Sequence, residues 1–196
     1  MNRMMIGCVA AAARILASDS FDRANSTNAL GNADSGQTWT NSAIYGNALG
    51  INGNAAYNAA TVNGAAVLSL GAANVLLEMV VGAFAAYMGF AFRFVDASNY
   101  CIAEFRNANP GFVVAGKVSG AAFGGSSASG YYLNGLPTMV AGDRLKIVAN
   151  GTTITVYVND VSYGSLTITQ NATATKHGIR ITGSVARINS FLAKRV

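Results

Sequence analysis

The chain has 196 residues, a length that suits one domain, or one domain with a short terminal arm. Apolar residues make up 52% and charged residues 11%, a balance that excludes intrinsic disorder because there is ample surface to bury and little self-repulsion to oppose it. One His and two Cys (Cys8 and Cys101) exclude zinc fingers and leave most His-based catalytic schemes short of parts. The net charge of +5 is spread along the chain, with only Lys194 and Arg195 adjacent, so no basic run tracks phosphates and no nucleic acid is expected as a partner.

Residues 4–13 form a run of small and apolar side chains between Arg3 and Arg14, followed by Ile15, Leu16 and Ala17. Two readings stay open: an arm or short helix that packs on the domain or a neighbour, and a cleaved secretory leader. Arg14 inside the stretch counts against the leader, and too few residues precede Cys8 for a lipoprotein signal. The run falls short of the ~20 residues needed to span a bilayer, so no membrane partner is expected. The expected division is an arm over residues 1–17 and a domain over 18–196.

Residues 20–64 are rich in Asn and Gly, with short candidate strands at 38–44 and 49–53. Period-two alternation then dominates. Residues 74–81 read as a strand with Glu78 among Val75, Leu77 and Met79. In 88–95, Phe90, Phe92 and Phe94 point one way and Ala91 and Arg93 the other. Residues 100–106 place Cys101, Ala103 and Phe105 on one face, Cys101 being a small buried side chain. Across the turn Asn109-Pro110-Gly111 follows a strand at 112–117, completing an antiparallel meander.

Residues 119–136 form a Gly/Ser-rich loop flanking a short strand at 131–133. A second meander pairs 144–149 with 152–158 across Asn150-Gly151, predicted as a type I′ hairpin. The chain turns again at Asn159-Asp160 into 161–169. The last strands, 178–182 and 186–192, bring Ile179, Ile181, Ile188 and Phe191 to the core. Roughly ten to twelve short strands require two facing sheets, since one open sheet that wide would expose a whole apolar face.

Four stretches carry a family resemblance: Ser18 to Arg23 at the opening; Gly89 to Phe94 with Asp96, Asn99 and Tyr100; Asp143 to Val148 with Thr153 to Asp160; and His177 to Ile181 with Ile188 to Phe191. Over residues 18–196 the chain resembles concanavalin A-like, laminin-G-like jelly-roll domains, although Asp160 stands where that family commonly has Gly. The resemblance implies an all-β, two-sheet antiparallel jelly-roll sandwich (concanavalin A-like) with a short N-terminal arm or helix. It also implies a closing strand that returns beside the first. Domains of this kind with short arms look similar to bacteriophage tail, fibre and capsid-decoration proteins.

Glycan-cleaving enzymes on this fold carry a Glu-x-Asp-x-x-Glu strand, and retaining hydrolysis needs two carboxyl groups about 5 Å apart. This chain has only Glu78 and Glu104, on separate predicted strands, and Glu78 is expected to pair with Arg93 or Arg106. His177 is expected at the surface and has no Gly-x-Ser-x-Gly elbow to serve. No catalytic residue is therefore assigned, and no enzyme is expected. Calcium is the one candidate cofactor, with Asp19 and Asp22 as candidate ligands; the ordinary role for Asp22 is a turn hydrogen bond.

Sugar recognition needs aromatic faces and short polar side chains, offered by Tyr131, Tyr132 and Asn134, and again by Trp39 and Tyr45. The competing reading packs Tyr131 and Tyr132 one inward and one outward along a strand. The expected function is a non-enzymatic virion module of a bacteriophage, in capsid decoration or a tail fibre. Its partners would be other virion proteins, or further copies of itself, through the arm, and cell-surface glycans. The alternative is a secreted bacterial lectin with a cleaved leader.

Overall fold

The computed structural model describes residues 13–125 and 130–196, and the described chain is built of β-strands and turns. The back sheet runs in the order β14 (Val161–Thr167), β13 (Thr153–Val158), β12 (Arg144–Asn150), β6 (Val75–Ala83), β16 (Arg187–Arg195), β4 (Ala56–Asn58) and β3 (Leu49–Ile51). Strand β1 (Ile15–Asp19) also lies on β16, so the closing strand does return beside the first. The front sheet runs β10 (Ala121–Gly124), β9 (Phe112–Val118), β8 (Asn99–Arg106), β7 (Tyr87–Asp96), β15 (Lys176–Thr182), β5 (Asn63–Ser69) and β2 (Thr40–Asn41), with β11 (Tyr132–Leu133) on β9. Neighbouring strands are antiparallel throughout.

The core lies where the inward faces meet. Phe90, Phe105 and Phe112 of the front sheet form an edge-to-face chain, with centroids 6.3 and 5.1 Å apart. They share one buried cluster with Leu77, Met79, Ile147 and Val156 of the back sheet. Burying each such side chain stabilises the fold by roughly 1.5–3 kcal/mol, which is what holds two otherwise exposed apolar faces together. The two meanders are the predicted ones: β7-β8-β9 and β12-β13-β14.

The structure departs from the sequence expectations in several places. Residues 1–12 of the expected arm lie outside the described residues, but Ile15, Leu16 and Ala17 belong to β1, with Ala17 in the core. Cleavage before Ser18 would therefore remove a buried residue and two of the four β1–β16 pairs, those of Ile15 and Ala17. In the β12–β13 hairpin, Asn150 pairs with Thr153, so the loop is Gly151-Thr152. Only Gly151 there has positive φ (54°), the pattern of a type II′ turn, whereas type I′ needs two such residues. The next reversal does use two, Asn159 (φ 50°) and Asp160 (φ 67°). Asp160 tolerates that backbone in place of Gly, and its carboxylate pairs with Arg144 and Lys146.

The largest correction is in β7. Arg93, Phe94 and Val95 face Tyr100 alone on β8, and Arg93 takes φ 50°. This bulge breaks the alternation, so Phe94 turns outward and Arg93 is fully buried. His177, expected at the surface, is also buried, on the inward side of β15. Its Nε2–H donates to the Ala72 carbonyl at 3.1 Å, and its Nδ1 accepts the Arg93 backbone N–H at 3.3 Å. That arrangement needs a neutral ring, and burial pushes its pKa down to about 4.

An unfolded His titrates near 6.5, so the unfolded chain binds more protons than the folded one between pH 6.5 and about 4. Stability is therefore lost as pH falls through that window, by up to about 3 kcal/mol for this one group. Thermal melts at pH 7 and pH 5 check this: His177→Gln should show a smaller drop than the unmodified chain. Parallel drops would contradict the assignment.

Candidate functional site

The outward face of the front sheet brings charged and aromatic side chains together on a floor of small residues. Ala65, Gly89, Ala91, Ala115 and Gly178 alternate with core residues on their strands and keep this floor low. By register, Glu104 of β8 lies opposite Gly89 of β7, and Gly89 lies opposite Arg180 of β15. No side chain stands between them, and Arg180 Nη2 reaches Glu104 Oε1 at 2.9 Å across the intervening strand. Gly89 is required on packing grounds as well, since a Cβ there would lie 1.9 Å from the Ala103 carbonyl oxygen.

Glu104 also accepts hydrogen bonds from Arg106 Nε at 3.1 Å and Nη2 at 2.5 Å. Arg180 Nη2 donates to Asn63 Oδ1 at 2.9 Å, an oxygen that also accepts from Thr182 Oγ1 at 2.7 Å. The Arg180 guanidinium lies 5.8 Å from the Tyr45 ring and 5.9 Å from the Tyr87 ring, and Arg106 lies over Tyr87 at 4.9 Å. Tyr87 is 36% exposed, whereas Arg180 is only 2% exposed. Its Nε and Nη1 are nevertheless buried without a hydrogen-bond partner.

Tyr45 arrives from a loop over residues 42–48. Ser42 binds the Ala65 carbonyl through both its backbone N–H (2.8 Å) and its hydroxyl (3.0 Å). Asn47 donates to the Asn63 carbonyl at 3.1 Å. The loop thus lies along β5, with Ile44 and Tyr45 packed against Ala65, Val67, Tyr100 and Ile102. Burial raises the pKa of the Tyr45 hydroxyl, partly opposed by the nearby Arg180 charge, and burial likewise raises that of Tyr100. Both hydroxyls therefore remain protonated donors at neutral pH.

The candidates named from sequence are divided. Tyr45 belongs to this face. Tyr132 shares it at the far side, paired with Val113, which in turn pairs with Glu104. Tyr131 and Leu133 instead pack against the core, Tyr131 edge-on to Phe123 with centroids 5.7 Å apart. The two tyrosines are thus one inward and one outward. Asn134 is exposed beyond β11.

Trp39 is 6% exposed, packed on Phe21 and Phe191, so its ring faces the core and is not offered to a sugar. Asp19 is fully engaged within the fold: it accepts from Trp39 Nε1 at 2.6 Å and Phe21 N–H at 2.8 Å and pairs with Arg23. Asp22 is exposed, and among the described residues no three His, Cys, Asp or Glu side chains gather as a metal site. The pair expected between Glu78 and Arg93 or Arg106 does not form, because Glu78 points outward from the back sheet opposite Lys146.

Arg180, Glu104, Arg106, Tyr87 and Asn63 were missed in the sequence as site residues. The only signal was weak: charged side chains at outward positions of long strands, next to Gly or Ala. Their convergence depends on which strands are neighbours, and β15 lies between β7 and β5 only through long-range pairing. An open depression of about 490 Å³, lined by Asn25, Asn28, Asn52 and Tyr57, competes less well. Tyr57 is 8% exposed with Arg187 over its ring at 4.9 Å, so that ring offers little face.

Comparison with known proteins places the fold. No family model and no curated protein sequence matches the chain. Among solved structures, it is similar to a carbohydrate-binding module, CBM66, from Bacillus subtilis, with TM-score 0.54 and 14% identity over 81% of this chain and 92% of the other. Domain 4 of AbnA, a GH43 extracellular arabinanase from Geobacillus stearothermophilus in complex with arabinotriose, has TM-score 0.52 and 15% identity, covering 93% of each chain. The endo-beta-1,3-glucanase from Pyrococcus furiosus has TM-score 0.52 and 11% identity, covering 93% of this chain and 94% of the other. At such identities the likeness is one of fold: a two-sheet antiparallel jelly-roll sandwich, concanavalin A-like.

Proposed function

We propose that this chain is a non-enzymatic glycan-recognition module whose binding face is the outward side of the front sheet. The observation that carries the reading is Arg180, a buried guanidinium with two unpartnered nitrogens, flanked by Tyr45 and Tyr87 and fixed by Glu104 and Asn63. Fixed donors beside aromatic faces are the chemistry that sugar binding uses. Recognition without turnover is supported by the placing of the two glutamates. Glu78 points out of the back sheet and Glu104 out of the front, on opposite sides of the sandwich, so they cannot act together at hydrolytic distance. The solved neighbours include a carbohydrate-binding module and a domain holding arabinotriose, which supports the same reading.

Binding to an oligosaccharide panel, followed by titration calorimetry on the best ligand, tests the site. Arg180→Met and Tyr87→Ala are each expected to weaken binding at least tenfold while the thermal midpoint shows the domain still folded. Undiminished binding by both variants would remove this face as the site.

The setting we propose is the surface of a bacteriophage particle, in a decoration or tail-fibre position, with the segment that precedes β1 contacting neighbouring subunits. It rests on the family resemblance and on the Ala-, Gly- and Asn-rich composition. The alternative, a secreted lectin, would use the same face. Mass spectrometry of the native protein separates them: an intact amino terminus supports the particle, and a trimmed one supports secretion.

A further inference from the structure

We infer that the group recognised at this face is a carboxylate, so that the ligand is an acidic glycan, built on or capped by a sugar acid. The inference rests on the glycan-recognition reading and adds the ligand's charge to it. The outward positions of the front sheet carry Arg106, Lys117, Lys176 and Arg180 against Glu104, with Asp96 exposed at the tip of β7. Within the central triad, Glu104 pairs with both guanidinium groups and neutralises one of them. One positive charge is left unbalanced, and the side chains of Arg180 and Arg106 are only 3% and 18% exposed.

A guanidinium taken out of water costs several kcal/mol unless its charge and its donors are met. Arg180 meets this in part: Nη2 serves Asn63 and Glu104 and the Tyr45 hydroxyl lies beside the guanidinium, while Nε and Nη1 make no hydrogen bond of normal geometry. A neutral sugar hydroxyl could accept one hydrogen bond but would leave the charge. A carboxylate supplies acceptors and balances the charge, and charge-assisted bonds are about twice as strong as neutral ones. The remaining polar groups agree in sign, since the Tyr45 and Tyr100 hydroxyls stay protonated and Arg106 adds further N–H donors.

The two free donors are shielded from solvent beside the Tyr45 and Tyr87 rings. Tyr45 is carried on a loop and is half-buried, so a ligand reaches these donors only if its ring is displaced.

The experiment compares an oligogalacturonate with its fully methyl-esterified form, which keeps the ring and linkage but removes the charge. The unmodified chain is expected to bind the acid at least tenfold more tightly than the ester, with a preference that shrinks as salt is raised. Arg180→Met should abolish that preference, leaving acid and ester equally weak. Arg106→Gln, which lies nearer solvent, serves if Arg180→Met does not fold, and should reduce the preference severalfold. Equal binding of acid and ester by the unmodified chain, with both weakened by Arg180→Met, overturns the carboxylate while the glycan reading stands. Absence of binding to acid, ester and every neutral saccharide on the panel overturns both.

Discussion

Replacing Arg93 by methionine is expected to destabilise the domain by about 1–3 kcal/mol, because it leaves the buried Ile168 carbonyl without the donor that satisfies it and the Gly151 carbonyl to water. Arg93 Nη1 donates to the Ile168 carbonyl at 2.6 Å, and Nη2 donates to the Gly151 carbonyl. Ile168 follows the end of β14 and Gly151 lies in the β12–β13 turn, both of the back sheet, while Arg93 belongs to the front sheet, so this one side chain fastens one layer to the other. Two effects oppose each other. Methionine keeps most of the stem's packing and removes a buried charge whose Nε has no partner, which favours the variant. Against that, the buried Ile168 carbonyl left unsatisfied costs about 1–3 kcal/mol, and the Gly151 carbonyl, in an exposed turn, adds less because water can reach it.

The acceptors win on this arithmetic. Urea denaturation of Arg93→Met, read as a lower midpoint with an unchanged slope, checks it. A loss below about 1 kcal/mol would mean that the sheet-to-sheet bonds contribute little. Arg93→Gly separates the backbone from the side chain: it relieves the positive φ but loses the clamp, so it should also be destabilised.

The second large effect is at Asp19. Asp19→Ala is expected to cost about 3–5 kcal/mol, the range for removing one partner of a buried pair. Its carboxylate is 2% exposed and holds the Trp39 indole, the Phe21 backbone and Arg23 together where β1 lies beside β16. Without it, the Trp39 N–H has no acceptor and Arg23 has lost its carboxylate. Asp19→Asn keeps an acceptor but gives up the charge, so a smaller loss of about 1–2 kcal/mol is expected. Trp39 is the only tryptophan, and its fluorescence reports the same event directly. Its emission should shift to the red in the alanine variant under native conditions. An unshifted spectrum with an unchanged unfolding midpoint would contradict this role.

These two residues also show how far reading the chain could go. Phe90, Phe92, Cys101, Ala103 and Phe105 alternate on strands with one buried face, and period-two alternation is a property of each strand alone. The inward set was therefore legible before any partner strand was known. Arg93 was misassigned because a bulge restarts the alternation, and a bulge is defined against the neighbouring strand, here Tyr100 on β8. Strand β5 went unseen for a related reason. Most of its residues, including Ala65, Ala66, Val67 and Leu68, are buried, leaving little polar contrast to mark a period.

At the candidate site, Tyr45 and Tyr132 were within reach of composition and loop character, and Trp39 was not distinguished from them. An indole that faces sugar and one that faces Phe191 look the same in a one-dimensional chain. Arg180, Glu104 and Arg106 lay beyond reach because their meeting requires β15 to insert between β7 and β5.

By itself the sequence determined that this chain folds as short antiparallel strands in two layers, because alternation, turn residues and the scarcity of charge act locally and sum along the chain. It determined too that only two glutamates were present to do chemistry. Only the tertiary structure decided that Glu104 would be held between two arginines, that Arg93 and His177 would be buried, and that Trp39 and Asp19 would close the core. The physical reason is that burial and charge pairing are set by contacts between strands far apart in the chain, and alternation within a strand carries no record of which strand lies beside it.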